Sequence, residues 1–460
     1  MDTQHFFGGG GQTDVSLLTL LLVVAASISL LTVPRRYLVV PMIVATVLIP
    51  LDQQVVLGGI HLMMARILIV VGWARVAQLK SQDSPYAKAA WTPIDTVFLL
   101  YCISNTVMYV VLWSGDTGAL INRGGFIFNA CGTYFFMRYL ITTLEDLERV
   151  MKVLAGVFVI VAAGMLVEQF TGQNVFSVLG SIPLRSVTRD GAIRAQGTFV
   201  HPLTAGAIGA TLLPVCFGVW WINRKNKGLA ILGVIASFVI GIASRSSTAL
   251  LVLAAGVVGM SMWPWRQHMR VLRWSVLAIL VCLHMVMKAP VWALIARIDL
   301  TGSSSGYHRY ILVDQFIRRF SEWCLVGTRT TAGWGWDMWD TINSYVAAGT
   351  SGGLVNFVLF VAVFVIAFQQ LGRSRLTASN EPQLERMLWV LSTLLFVHAV
   401  AFFGIDYFDQ SQFVWYAELA MIAAATTLGL SSTVVSRPQR PVADEVVWDF
   451  GQGGRLTISD

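Results

Sequence analysis

The sequence predicts an all-α, polytopic integral membrane protein with about 12–13 transmembrane helices in one domain. Three observations carry this. The 460 residues are 56% hydrophobic and only 12% charged, too apolar for a soluble globule. Apolar runs long enough to cross a bilayer recur along the whole chain and leave little room for a separate soluble domain. Lysine and arginine gather in alternate breaks between those runs.

The runs fall near 15–33, 37–51, 60–77, 94–113, 124–141, 150–170, 203–222, 228–243, 247–263, 271–289, 352–371, 387–404 and 413–430. Residues 1–14 (MDTQHFFGGGGQTD) lack a basic segment and a small-residue cleavage site, so they read as a flexible tail, not a signal peptide. Residues 15–430 form the transmembrane domain and 431–460 a second tail. The breaks at Arg35/Arg36, Lys80/Lys88, Arg149/Lys152, Arg224/Lys225/Lys227, Arg266/Arg270/Arg273 and Arg373/Arg375/Arg386, with Arg437/Arg440 in the tail, are expected to be cytoplasmic. The amino terminus is then outside, the carboxyl terminus inside, and the segments 171–202 and 290–351 external. Four cysteines lie in apolar runs and Cys324 in a loop, which makes no metal or disulfide framework.

The external side is rich in one kind of cation. Arg123, Arg185, Arg189, Arg194, Arg245, Arg297, Arg309, Arg318, Arg319 and Arg329 fall there, whereas Lys288 is the one lysine at an outer edge. Topology does not separate the two residue types, but chemistry does: a guanidinium grips phosphate or carboxylate through a planar fork and tolerates partial burial. An anionic ligand held outside is the expectation. In 290–351 five arginines face five acids and structural pairing is an equal alternative, while in 185–194 three arginines face Asp190 alone.

Arg194 precedes the helix expected from Leu203, whose free N–H groups attract anions, with His201 and Pro202 fitting as residues of the helix start. Arg245 lies between two spans with almost no loop, where an ionisable group must be paired or line a water-filled cavity. Arg66 and Glu418, deeper in spans, are expected to be structurally paired. Residues 306–320 place Ile311, Leu312, Phe316, Ile317 and Phe320 on one helical face, an amphipathic helix that lies on the leaflet or caps the bundle. The run 333–353 combines Trp334, Trp336 and Trp339 with Asp340 and Asn343; aromatic faces beside hydrogen-bonding groups suit sugar rings, and Trp also anchors membrane interfaces. Asp406 and Asp409, in the connection 405–412, read as solvated loop rather than metal ligands.

Arg194-x-x-Gly-x-Phe-x-x-Pro202, Ser244-Arg245 between two helices, Arg309 in a large loop, Gly333-x-Gly335 and Asn343-x-Tyr345 before a Gly-rich helix start together resemble the O-antigen ligase and polymerase family. The resemblance covers roughly 190–370, the rest being compatible in hydropathy. It implies a GT-C-like fold and an inverting, metal-independent glycosyltransferase at the outer face of the bacterial inner membrane. The implied donor is an undecaprenyl-diphosphate-linked glycan, the acceptor a glycan or lipid, and other polysaccharide-assembly proteins are possible partners. Arg194 and Arg245 match the family's diphosphate-holding arginines, and Arg189 and Arg309 are candidates beside them. Asn343, Tyr345 and Trp336 are candidates for the acceptor or sugar. Where ligases of the family carry a histidine before the Asn-x-Tyr element this chain has Ile342, which weakens a lipopolysaccharide ligase relative to a polymerase or protein-glycosylating relative. Asp340 and His308 are the remaining candidates for general base. No cofactor and no nucleic-acid partner are expected. A transporter of an organic anion or glycan precursor, using Arg66, Arg245 and Glu418, and a scaffold for polysaccharide assembly remain alternatives.

Overall fold

The structure is a computed structural model that describes residues 15–51, 53–57, 60–81, 90–189, 191–297 and 305–435. The first helices are α1 (Leu17–Thr32), α2 (Val39–Leu48), α3 (Met64–Ser81), α4 (Pro93–Leu112), α5 (Thr117–Leu140) and α6 (Leu144–Thr171). Then come α7 (Pro202–Thr211), α8 (Leu213–Ile222), α9 (Lys227–Ala243), α10 (Ser247–Ser261) and α11 (Met269–Val286). The last are α12 (Ser305–Arg318), α13 (Phe320–Trp323), α14 (Ser344–Thr377), α15 (Pro382–Ala401) and α16 (Ser411–Val435). Sheet among the described residues is limited to two antiparallel hairpins, β1 (Gln54–Leu57) with β2 (Ile60–Met63) and β3 (Val187–Arg189) with β4 (Ala192–Arg194).

The protein is thus mostly helical, and among the described residues seven helices are long and apolar enough to cross a membrane. Every apolar run read from the sequence coincides with helix, but not every one is a full span. The 37–51 run shortens to α2, whose 10 residues extend only about 15 Å against a hydrocarbon core of about 30 Å. The 60–77 run opens as strand β2, with helix from Met64 onward. The 352–371 run is the second part of α14, which starts at Ser344, so the long loop ends eight residues before the expected boundary. At the other end α16 continues to Val435, past the expected start of the tail at 431; residues 1–14 and 436–460 lie outside the described residues.

The core is a bundle in which α4 packs on α14, α6 on α9 and α10 on α15. Small residues set the closest approach, between α7 and the end of α9: a Cβ on Gly206 would lie 2.1 Å from Ser244 Oγ. Only glycine there lets the chain place Ser244 and the following Arg245. In α14 the helix breaks at Gly352 and Gly353, the latter at φ 72°. The groups freed by the break are taken up by the loop, Thr328 N donating to Thr350 O (2.8 Å) and Leu354 N to Cys324 O (2.8 Å). Side chains on Gly353 or Gly327 would strike backbone carbonyls across this junction, at 2.4 Å from Leu325 O and 2.2 Å from Thr350 O.

The amphipathic helix α12 caps the bundle through a small core of its own. Leu312, Phe316, Trp323, Trp334, Met338 and Val346 are buried together, with Phe316 stacked on Trp323 at 3.9 Å. The buried face is narrower than the sequence implied, since Ile317 and Phe320 are exposed.

Candidate functional site

β3 and β4 form an antiparallel hairpin that closes at the pair Arg189 and Ala192, and Gly191 has φ 73°. Register pairs Val187 with Arg194 and Arg189 with Ala192. Residues two apart on a strand and residues directly opposite across an antiparallel pair share a face, so Arg189 and Arg194 project to the same side. The hairpin is fixed at its base by Glu168 of α6, which is fully buried and accepts the backbone N–H of Gln196 (3.1 Å) and Gly197 (2.9 Å). A carboxylate so close to Arg194 is therefore occupied by backbone donors.

The hairpin docks on the carbonyl end of α9. Ala195 N donates to Ala243 O at 3.0 Å and Arg194 Nε to Ser244 O at 3.2 Å, satisfying carbonyls the helix leaves unpaired. Arg245 follows in the left-handed region at φ 45°, a conformation costing a non-glycine residue about 1–2 kcal/mol. This turn carries the chain directly into α10. Arg189, Arg194 and Arg245 then line one cavity of about 940 Å³ whose remaining wall is apolar apart from Gln169, with Leu166 of α6 and Val234, Ile235, Phe238 and Ile242 of α9. Arg194 is 8% exposed, and its guanidinium has no carboxylate partner among the described residues. Burial, then the nearby Arg189, lowers its pKa. The Arg245 side chain makes no hydrogen bond or ion pair among the described residues.

His201 caps α7, its Nδ1 accepting Leu203 N–H at 3.0 Å, with Pro202 at the first helical position. Burial and the Arg194 charge push it down to about 4, so the ring is neutral at pH 7.

Arg309 is not in this cavity. It is buried on α12 and donates through Nη2 to Thr248 Oγ1 (2.8 Å), which in turn donates to Gly404 O (3.3 Å). The interaction ties the long loop to the start of α10, three residues beyond Arg245. Glu418 meets His398 at 2.6 Å, both fully buried, and Arg66 Nε donates to Asn129 Oδ1 at 3.1 Å.

Asp340 and His308 lie close enough to influence each other. The Asp340 carboxyl is held above the ordinary value by partial desolvation, with His308 opposing and Asp337 reinforcing the rise. His308 Nε2 donates to Asp337 O at 2.9 Å, which leaves Nδ1 as the basic nitrogen of the neutral ring. That nitrogen is buried without a partner, whereas Asp340 is solvent-exposed.

The three residues expected to touch sugar occupy different settings. Asn343 is 1% exposed and wholly engaged: Oδ1 accepts from Tyr345 N and Val346 N at the start of α14, and Nδ2 donates to Phe403 O. Tyr345 packs on Phe360, Phe364 and Phe403, with its hydroxyl on Ala399 O. Trp336 is 89% exposed. Trp334 is core, bonded to Glu322.

The expectation of a solvated 405–412 connection needs correction. Asp409 is fully buried and holds Thr204 Oγ1 (2.7 Å) and Ser411 N (3.0 Å), joining the starts of α7 and α16. Asp406 accepts from Ser344 Oγ at 2.9 Å, and burial pushes it up to about 6, with Asp340 adding to the rise and Ser344 opposing it. Asp406, Trp339 and Thr341 line a second cavity, of about 570 Å³, that flanks Asp340 in sequence and shares no lining residue with the first. Sequence reasoning missed Asp406 as a site residue; the signal was an acid embedded among aromatics in Phe402-Phe-Gly-Ile-Asp-Tyr-Phe408.

No protein-family model matches the chain, and no curated protein matches it significantly.

Proposed function

We propose that the protein is an inverting glycosyltransferase at the outer face of the bacterial inner membrane, transferring or polymerising glycan from an undecaprenyl-diphosphate-linked donor. The observation that carries this reading is the cavity combining Arg189, Arg194 and Arg245 with a long apolar wall. A lipid diphosphate has the same division: two charged phosphates for the guanidinium forks and a prenyl chain for the exposed side chains of α6 and α9. The alternating basic breaks support an external position for this cavity and the long loop.

In this mechanism an acceptor hydroxyl attacks the anomeric carbon from the face opposite the diphosphate. The carbon–oxygen bond to the lipid diphosphate breaks, and configuration inverts. Arginine donors already held by Ser244 and the α9–α10 turn meet the charge that develops on the leaving oxygen, without reorganisation during the reaction. Asp340, accessible and with a raised pKa, takes the hydroxyl proton. His308 is a poorer base because its free nitrogen is buried. Arg309 acts as a positioning residue, fixing the loop to α10.

The test uses the full chain in lipid nanodiscs with a fluorescent undecaprenyl-diphosphate oligosaccharide and an acceptor oligosaccharide. Acceptor-dependent release of undecaprenyl diphosphate is expected. Flux of the glycan across proteoliposomes with no release would replace the transferase by a transporter.

A further inference from the structure

The second cavity is built differently from the first. Its wall comes from the start of α3, the end of α4, the start of α5, the start of α14 and the connection before α16, all at the end of the bundle that meets the long loop. Aromatic side chains Tyr101, Tyr109, Trp113, Phe126 and Trp339 alternate there with hydrogen-bonding groups. Flat apolar faces beside hydroxyl, amide and carboxylate groups match a pyranose, which presents C–H patches on its faces and hydroxyls around its rim.

Neutral sugar does not account for the cations. Arg66, which is engaged with Asn129, lines this cavity together with Arg123 and Arg329, and Asp406 is the only carboxylate in its lining among the described residues. Arg123 is held in place before any ligand arrives: its guanidinium lies 3.7 Å from the Tyr109 ring centroid, and Nη1 donates to Asn105 Oδ1 at 2.8 Å. Asn105 is itself fixed by Ser351 Oγ at 3.0 Å. The other edge of the fork is not used in this way, since Arg123 Nε is buried with no hydrogen-bond partner, as is Trp113 Nε1 nearby. Arg329 is oriented by Leu112 O (3.0 Å) and Ser114 Oγ (3.2 Å), and neither Arg123 nor Arg329 forms an ion pair among the described residues. Arg66 lies against Gly125, where a Cβ would come within 2.3 Å of Nη2, so a side chain on that helix face would push the third cation away.

We propose that this cavity binds a sugar residue bearing a carboxylate, with Arg123 and Arg329 as its anion contacts and the aromatic side chains as its platform. The place of that sugar in a transferred glycan rests on the transferase reading; the site itself rests on its lining. Asp406, in this arrangement, accepts a hydroxyl of the ring and keeps the cavity from being a general anion trap.

The experiment is calorimetric titration of the full chain in nanodiscs, without lipid-linked donor, so it is independent of whether any transfer occurs. The probes are a trisaccharide containing one glucuronate and the same trisaccharide with glucose at that position. The acidic trisaccharide is expected to bind at least tenfold more tightly. Arg123→Gln and Arg329→Gln should each remove most of that preference, and Arg245→Gln in the other cavity should leave it intact. Arg329 is exposed, so its variant stands in if Arg123→Gln does not fold. Equal binding of the two sugars overturns the proposal, as does a preference that survives Arg329→Gln or one that is lost in Arg245→Gln. Failure of donor turnover with this preference intact would count against the transferase reading alone.

Discussion

The two cavities hold arginine by different means. In the first, local backbone geometry does the placing: a hairpin turns Arg189 and Arg194 to one face, and a left-handed residue at the end of α9 brings Arg245 beside them. The walls are mostly apolar, and Arg194 is held by the Ser244 carbonyl. In the second, each arginine is braced by side chains from other elements, such as Asn105 and Tyr109 around Arg123, and the walls are aromatic and polar. The first suits an amphiphile with concentrated charge, the second a hydroxylated ring with one charge. Arginine count alone says little about a ligand; what surrounds the guanidinium decides it.

The largest expected effect separates the two cavities outright. Arg194→Lys or Arg245→Lys should lower release of lipid diphosphate by about 10²–10³-fold, since a point charge does not replace a two-pronged donor on a leaving group. Binding of acidic trisaccharide should be unchanged in both variants. Near-normal release would make the first cavity's arginines structural.

Next in size is the proton acceptor. Asp340→Asn should depress transfer by about 10²-fold or more while donor binding persists. The active form is the carboxylate and its pKa is raised, so the wild-type rate should fall as pH drops through that value. His308→Gln should have a small effect. A reversal of the two rates would shift the role to His308.

A pH titration sharpens the contrast from the other side. Asp406 faces Arg123 from α5, Ser344 from α14 and the Asp340 charge from the long loop, and it titrates at about 6. Protonation removes a negative charge that competes for Arg123, so acidic-trisaccharide affinity should rise as pH falls from about 7 to 5, by up to about tenfold for a one-unit coupling. In Asp406→Asn the profile should be flat, and the neutral trisaccharide should show no such rise in either protein. An unchanged slope in the variant would mean another group carries the titration.

The smallest effect concerns Asn343. As a buried cap with every polar atom engaged, its replacement by Ala should lower stability by about 1 kcal/mol, read as a lower unfolding temperature in detergent. Sugar affinity of the folded fraction should be untouched. Lost affinity at unchanged stability would return Asn343 to the sugar site.

Much of the bundle and all of the first cavity's cations were legible in the sequence because they depend on short-range signals. Apolar run length marks helices, three arginines against one acid mark 185–194, and Arg245 between two spans marks a charged turn. Run length also misled: it does not distinguish the ten-residue α2 from a full span, nor show that β2 opens the third run. The repeated Gly-Trp pairs illustrate the limit, for Trp334 enters the core under α12 while Trp336, two residues on, is left in solvent.

By itself the sequence determined that the chain is helical and apolar, and that arginine is concentrated around two loops. Those properties follow from composition and from residues within a few positions of one another. Only tertiary structure decided that Asp409 is buried against Thr204, that Glu168 is occupied by backbone N–H groups while Arg194 donates to Ser244 O, and that Asn105, 246 residues from Ser351, joins it in a second cavity. Whether a charge is neutralised, solvated or held ready for a ligand depends on which distant groups packing brings within hydrogen-bond reach, and no local pattern encodes that.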